Sequence, residues 1–136
     1  MSQENVELAA RWYEPWATSK AEVLTDMPRV MEACHPEVEW SQRQERWTHR
    51  GREGVREALE LWLESFNEYR FEVQRIIDCG GDEVLVVGLE VGRGAMSGAG
   101  VRSVSYELLT IRDGKLARFR ELQDESEALE AAGLRK

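Results

Sequence analysis

The stretch that most constrains the fold is Gly51 to Asn67, GREGVREALELWLESFN. Val55, Ala58, Leu59, Trp62, Leu63 and Phe66 recur at i, i+3, i+4, i+7, i+8 and i+11, which makes one apolar stripe on an α-helix. Arg52, Glu53, Arg56, Glu57, Glu60 and Glu64 fill the other face with charge. Glu53 with Glu57, and Glu60 with Glu64, are like-charge pairs one turn apart, so the helix gains little from its own surface. Packing must hold it. The chain beyond Asn67 is strand-like almost to the end, so a sheet is the partner that covers the stripe.

The rest of the chain supplies that sheet and its flanks. Residues 3–18 carry a helical stripe of Val6, Ala9, Ala10, Tyr13 and Trp16 or Ala17, which Pro15 should kink or end. Residues 20–34 give a second helical stretch, interrupted by Pro28 and broken at His35-Pro36. Asp26 is a candidate cap for a short helix with Pro28 in its first turn. Val38 and Trp40 alternate with Glu39 and Ser41 as a short strand, and residues 42–49 read as a loop or edge strand. Beyond the long helix, Tyr69 to Ile77 alternates, and Cys79-Gly80-Gly81-Asp82 is a turn. The run EVLVVGLEV from Glu83 to Val91 is a central strand. The segment GRGAMSGAG after it has no Lys-Ser/Thr pair and no helix pattern following, so it is a flexible connection and not a phosphate loop. Val101 to Ile111 and Lys115 to Asp124 are two further strands, joined by Asp113-Gly114 in a type I′ turn. A short helix from Glu125 to Ala132 stops at Gly133. The order predicts an α+β fold in a single domain over residues 1–136, and a hydrophobic content of 42% is enough for a real core.

Charge narrows the partners. A net charge of −8 repels nucleic-acid phosphates and offers no polybasic surface to anionic lipid. The sequence has no run of roughly 18 apolar residues to span a membrane. MSQENVELAARW lacks the apolar core of a signal peptide, and Cys34 and Cys79 make no CxxC pair, so free thiols in the cytoplasm are expected. Two separated histidines and no acidic cluster of metal spacing predict no metal.

The Asp113-Gly114 turn also predicts a register. With a two-residue loop, Arg112 pairs with Lys115, Leu108 with Phe119, Glu107 with Arg120 and Tyr106 with Glu121. Glu107 beside Arg120 reads as a cross-strand ion pair on the more polar face. Glu121 then sits among Tyr106, Phe119 and apolar neighbours, with no such explanation.

Five motifs in order carry a family resemblance: MSQENVELAARWYEPW, HPEVEW, RGREGVREAL, TIRDGKLARF and DESEALEAAGL. Together they resemble the SnoaL-like polyketide-cyclase branch of the nuclear-transport-factor-2-like (NTF2-like, ketosteroid-isomerase-like) superfamily. The resemblance implies a cone-shaped fold, with N-terminal helices packed on a strongly curved, mostly antiparallel sheet. It also implies an apolar pocket for a small hydrophobic molecule and a homodimer through the outer face of the sheet. Ketosteroid isomerases keep a carboxylate base at the end of the first strand, where this chain has Trp40. SnoaL-like cyclases commonly carry a His-Trp-Asp run in the last strand. Here it reads Phe119-Arg120-Glu121, so the acid is present and the histidine is not.

The candidate catalytic residues are therefore Glu121 as general acid or base, with Tyr106 or His49 to polarise a substrate oxygen and no cofactor. The bland alternatives are a solvated or arginine-paired Glu121 and a surface His49. Tyr13, Trp16, Trp40, Trp62, Phe66 and Phe119 are the candidate ligand-binding residues, or simply core. Fold class does not choose between an isomerase or cyclase, a non-catalytic binder and a dimerisation module.

Overall fold

The computed structural model describes residues 2–42, 47–122, 124–131 and 133. The elements run α1 (Ser2–Trp12), α2 (Lys20–Thr25), α3 (Met27–Glu32), β1 (Cys34–Gln42), β2 (Trp47–Arg50), α4 (Gly51–Glu64), β3 (Phe66–Asp78), β4 (Glu83–Gly94), β5 (Gly100–Arg112), β6 (Lys115–Leu122) and α5 (Glu125–Ala131).

Local chemistry sets most of these boundaries. Pro15 follows the end of α1 and starts a single 3₁₀ turn, Pro15–Ala17. The Ser19 hydroxyl accepts the Glu22 amide at 3.1 Å and caps α2. Pro28 lies in the first turn of α3, as expected, but Asp26 at its N-cap makes no capping bond through its side chain. On α4, Arg56 bridges Glu53 and, at 3.5 Å, Glu60, which offsets the like-charge pairs. The Arg52 guanidinium donates to the Cys34 carbonyl at 2.9 and 2.7 Å, tying the start of α4 to the start of β1.

Three boundaries differ from expectation. α4 ends at Glu64, and Phe66 and Asn67 open β3. β1 begins at Cys34, running through His35-Pro36. The glycine-rich segment is mostly strand, because β4 extends to Gly94 and β5 starts at Gly100, leaving residues 95–99 as the connection. Glycine tolerates extended backbone when ladder partners lie on hand, and here they do.

The sheet has six strands in the order β2-β1-β6-β5-β4-β3. β1 and β6 run parallel, and the other neighbours are antiparallel. Register shifts within β3–β4, β5–β6 and β1–β6 mark bulges, which bend the strands around the helices. One face lies under α1, α3 and α4, where Val84, Val86, Leu109 and Leu116 meet Ala9, Val55 and Leu63 in the main core. On the other face Leu85, Leu108 and Leu122 form a smaller cluster under Ala128 of α5. No helix among the described residues is long and apolar enough to cross a membrane.

The Asp113-Gly114 turn forms as predicted, with positive φ of 55° and 72°. The register beyond it does not. Arg112 pairs with Lys115 and Ile111 with Leu116, but Thr110 pairs with Arg118, leaving Ala117 as the extra residue of a bulge. Every later pair slips by one. Tyr106 faces Leu122, Leu108 faces Arg120, and Glu107 faces Glu121. The expected Glu107–Arg120 ion pair therefore does not form across the hairpin, and Tyr106 lies on the opposite face from Glu121.

Candidate functional site

The helix-covered face closes around a small cavity whose wall is largely aromatic. Trp12 ends α1 and Tyr13 follows it, Trp16 comes from the 3₁₀ turn, Leu59 and Trp62 from α4 and Trp40 from β1. Tyr69 and Phe71 of β3 and Phe119 of β6 complete it. The rings hold one another in place. Trp40 stacks on Phe119 at 5.5 Å, Tyr13 stacks on Phe71 at 4.9 Å, and Trp62 meets Tyr69 edge-on at 4.6 Å. The enclosed space is about 30 Å³, room for about one water.

Gly88 permits part of this packing. A Cβ there would lie 2.3 Å from the Phe71 ring, so the bare backbone of β4 lets Phe71 lie flat against it and under Tyr13.

Three carboxylates, Glu90, Glu107 and Glu121, reach the same space from adjacent strands. The Tyr13 hydroxyl donates a short hydrogen bond to Glu107 Oε1. The Tyr69 hydroxyl donates to Glu90 Oε2 at 2.9 Å. Burial is the main influence on Glu107, lifting it from an ordinary 4.5 to about 8. The Tyr13 hydrogen bond pulls the other way, and the charges of Glu90 and Glu121 push it further up. Glu90 is raised as well, by burial, against the Tyr69 hydrogen bond. Both tyrosines are raised, first by burial and then by the neighbouring carboxylates. Among the described residues no Lys, Arg or His lines the cavity. The indole N–H of Trp16 is buried and has no acceptor among the described residues.

Of the residues singled out in the sequence, Tyr13, Trp16, Trp40, Trp62, Phe119 and Glu121 line this cavity together. Phe66 stands one layer back, against Trp62 at 5.2 Å and Tyr69 at 5.0 Å. His49 pairs with Trp40 across β1–β2, its ring 5.6 Å from the indole, behind the wall. Tyr106 packs with the cluster on the other face of the sheet, so it cannot serve Glu121. The residues missed were Glu90, Glu107, Tyr69 and Phe71. A signal existed in the strand pattern: Glu90 shares its parity with Val84 and Val86, and Glu107 with Leu109 and Ile111, all core residues. A lone acid on a core-facing parity is a buried polar group that needs an explanation.

Chemically, an acid that keeps its proton near neutral pH, opposed by a second carboxyl and enclosed by rings, can give and take protons.

The comparisons with known proteins agree with this architecture. A protein named TerC, co-crystallised with polyporic acid, is 22% identical over 96% of this chain and 98% of its own, with a TM-score of 0.73. A protein assigned as a SnoaL-like polyketide cyclase, from Jannaschia sp., is 18% identical, covering 99% of this chain and 95% of its own at a TM-score of 0.74. A ketosteroid-isomerase-like protein from Catenulispora acidiphila, in complex with trimethylamine, is 15% identical, covering 95% and 94% at a TM-score of 0.70. These likenesses show an NTF2-like α+β fold. No curated protein matches the sequence. The SnoaL-like domain matches residues 9–119, from the first helix to the aromatic wall of β6, and the chain belongs to that family.

Proposed function

We propose that this SnoaL-like protein is a cofactor-free acid–base catalyst acting on a small carbonyl compound held in the aromatic cavity. The observation that carries the proposal is Glu107 opposite Glu121 inside that cavity, with Tyr13 donating to Glu107. Directly opposed residues have Cα atoms about 5 Å apart. Burial of the Glu107 carboxyl favours its protonated form. Glu107, raised to about 8, keeps a proton at neutral pH. The carboxylate facing it takes a proton from the carbon beside the substrate carbonyl. The C–H bond breaks, its electron pair forms the enol double bond, and the carbonyl π pair moves onto oxygen. The Trp16 N–H is a donor for that oxygen. Returning a proton to another carbon completes an isomerisation, and attack of the enol carbon on a second carbonyl gives an aldol cyclisation.

The test is hydrogen–deuterium exchange at the α-carbon of methyl neopentyl ketone in deuterium oxide, followed by NMR. Glu107→Gln and Glu121→Gln should each slow enzyme-dependent exchange by about a hundredfold or more while the protein stays folded. Full exchange in both variants would sink the proposal.

A second reading, a binder without chemistry, is favoured by the tightness of the cavity, about 30 Å³. Two neighbours crystallised with small molecules, polyporic acid and trimethylamine, support a small-molecule ligand on either reading. A binder predicts that ligand raises Tm equally in wild type and Glu121→Gln, with no exchange.

A further inference from the structure

The aromatic cavity encloses only about 30 Å³, but it abuts two larger spaces. Two surface grooves of about 490 and 590 Å³ lie beside it. Trp12 lines both the cavity and the first groove, and Tyr69 lines both the cavity and the second. Glu14 and Pro15 face the first groove, Ser19 faces the second, and Thr18 lines both. Residues 14–19, which join α1 to α2, are therefore a strap between the two grooves. The strap carries Trp16, which forms part of the cavity wall.

The strap is lightly fastened. Among the described residues its hydrogen bonds run only to neighbours in sequence, between Arg11 and Val23, and none reaches the sheet. What holds it to the body is the Trp16 ring and, just past its end, Lys20, whose ammonium donates to the Phe66 carbonyl at 2.7 Å. The ring itself is the loosest in the wall. Trp16 meets Trp12, Trp62 and Tyr69 at 6.4–6.5 Å, whereas every other ring of the wall has a neighbour within 5.7 Å. Trp16 is only 5% exposed, and its indole N–H has no acceptor among the described residues. A buried donor without a partner destabilises the closed arrangement relative to any state in which water reaches it.

We infer that residues 14–19 are a lid, latched by Lys20, that swings out between the end of α1 and the start of α2 and withdraws Trp16 from the wall. Opening joins the cavity to the grooves beside it. The closed cavity has room for about one water, and the joined space is of the size that holds a small organic molecule. The motion breaks the Lys20 bond and the Trp16 packing and leaves the sheet ladders intact. This deepens the proton-transfer reading and rests on it for the chemistry: reclosing brings the Trp16 N–H onto the substrate oxygen and excludes water from the carboxyls. The opening itself needs no substrate.

The test uses the full chain without any small molecule. NMR follows hydrogen exchange of the Trp16 indole N–H against the slowest amides of β4 and β5, which report global unfolding. A lid opens without unfolding, so the protection factor of Trp16 should be about a hundredfold or more below theirs. Lys20→Met keeps the side-chain stem and removes the donor to Phe66, so it should speed Trp16 exchange about tenfold. Leu85→Val, in the cluster on the far face of the sheet, should speed the β4 and β5 amides about fourfold and leave Trp16 unchanged. Exchange of Trp16 at the pace of the core amides overturns the inference. So does an unchanged Trp16 rate in Lys20→Met, or a Trp16 rate that rises with Leu85→Val. Ketone exchange catalysed by a protein whose Trp16 opens only on unfolding leaves the proton-transfer reading standing and the lid fallen. A lid that opens in a protein without ketone exchange does the reverse.

Discussion

Glu107 of β5 and Glu121 of β6 stand directly opposite one another across a hairpin, both lining one aromatic cavity. Like charges opposed across a ladder destabilise a sheet unless one is neutralised, and here Glu107 is the one held neutral. The first prediction is a pH dependence with a definite sign. Burial raises Glu107 from 4.5 to about 8, so between those values the folded protein holds a proton that the unfolded chain has released. The contribution of Glu107 to stability is therefore greatest below the lower value and falls as pH rises through the window, by up to about 1.4 kcal/mol per pH unit. Glu90 adds a slope of the same sign. The other titratable groups nearby are Tyr13, Tyr69 and Glu121 on the cavity and His49 beyond Trp40. Glu107→Gln should leave stability at acid pH within about 1 kcal/mol of wild type and make the variant clearly the more stable one at alkaline pH. Urea denaturation across the pH range reads it, and parallel curves for the two proteins would refute it.

Tyr13→Phe acts on the same carboxyl from the other side. The Tyr13 hydroxyl is the group that lowers Glu107, so its removal raises Glu107 further and extends the window of declining stability to higher pH. It also leaves Glu107 without that donor, at a cost of about 1–3 kcal/mol. The Phe ring keeps the stack on Phe71, so the loss reports the hydrogen bond and not the packing. An upward shift of the alkaline midpoint, measured by the same titration, distinguishes this from simple destabilisation.

What the sequence showed of this site depended on the kind of signal. The α4 stripe, the type I′ turn and the aromatic wall were legible because periodicity and turn chemistry are local. Trp16, Trp40, Trp62 and Phe119 meet in one place for that reason. The Glu107–Glu121 pairing was not legible. It depends on the bulge at Ala117, and nothing in LTIRDGKLARF marks where the extra residue falls. One slipped residue exchanges Tyr106 for Glu107 as the neighbour of Glu121, so the neighbour expected from uniform alternation is replaced while Glu121 still lines the cavity. Glu107 was explained away as an ion pair with Arg120, and Glu90 went unremarked inside an apolar strand, although both share the parity of core residues.

Cys34 offers a reporter of global unfolding. It has no exposed surface, and burial pushes its thiol up to about 12 despite the lowering influence of Arg52 and Lys115. It should resist thiol reagents at mildly alkaline pH until the domain opens. Cys79 is partly exposed and less protected, and it should label first. Mass spectrometry after brief labelling in the native state should find a single modification, at Cys79. Labelling of Cys34 at a comparable rate would show that the main core opens locally.

Gly88 is where the backbone decides the site. Its Cα faces Phe71 so closely that a Cβ would sit 2.3 Å from the ring, too near for any small adjustment. In Gly88→Ala the ring must tilt away, and it carries the Tyr13 stack with it. Tyr13 in turn positions the donor to Glu107. The substitution should therefore destabilise by about 1–3 kcal/mol through overpacking and also disturb the Glu107 titration, two readouts that an ordinary strand substitution would not couple. A smaller side chain under the alanine tests the route. Phe71→Leu alone loses aromatic packing, but combined with Gly88→Ala it frees the space that the methyl needs, so the double variant should be more stable than the sum of the single losses predicts. Additive losses across that cycle would mean that the strain is absorbed elsewhere, and that the Gly88–Phe71–Tyr13 stack does not set the geometry of the carboxyl pair.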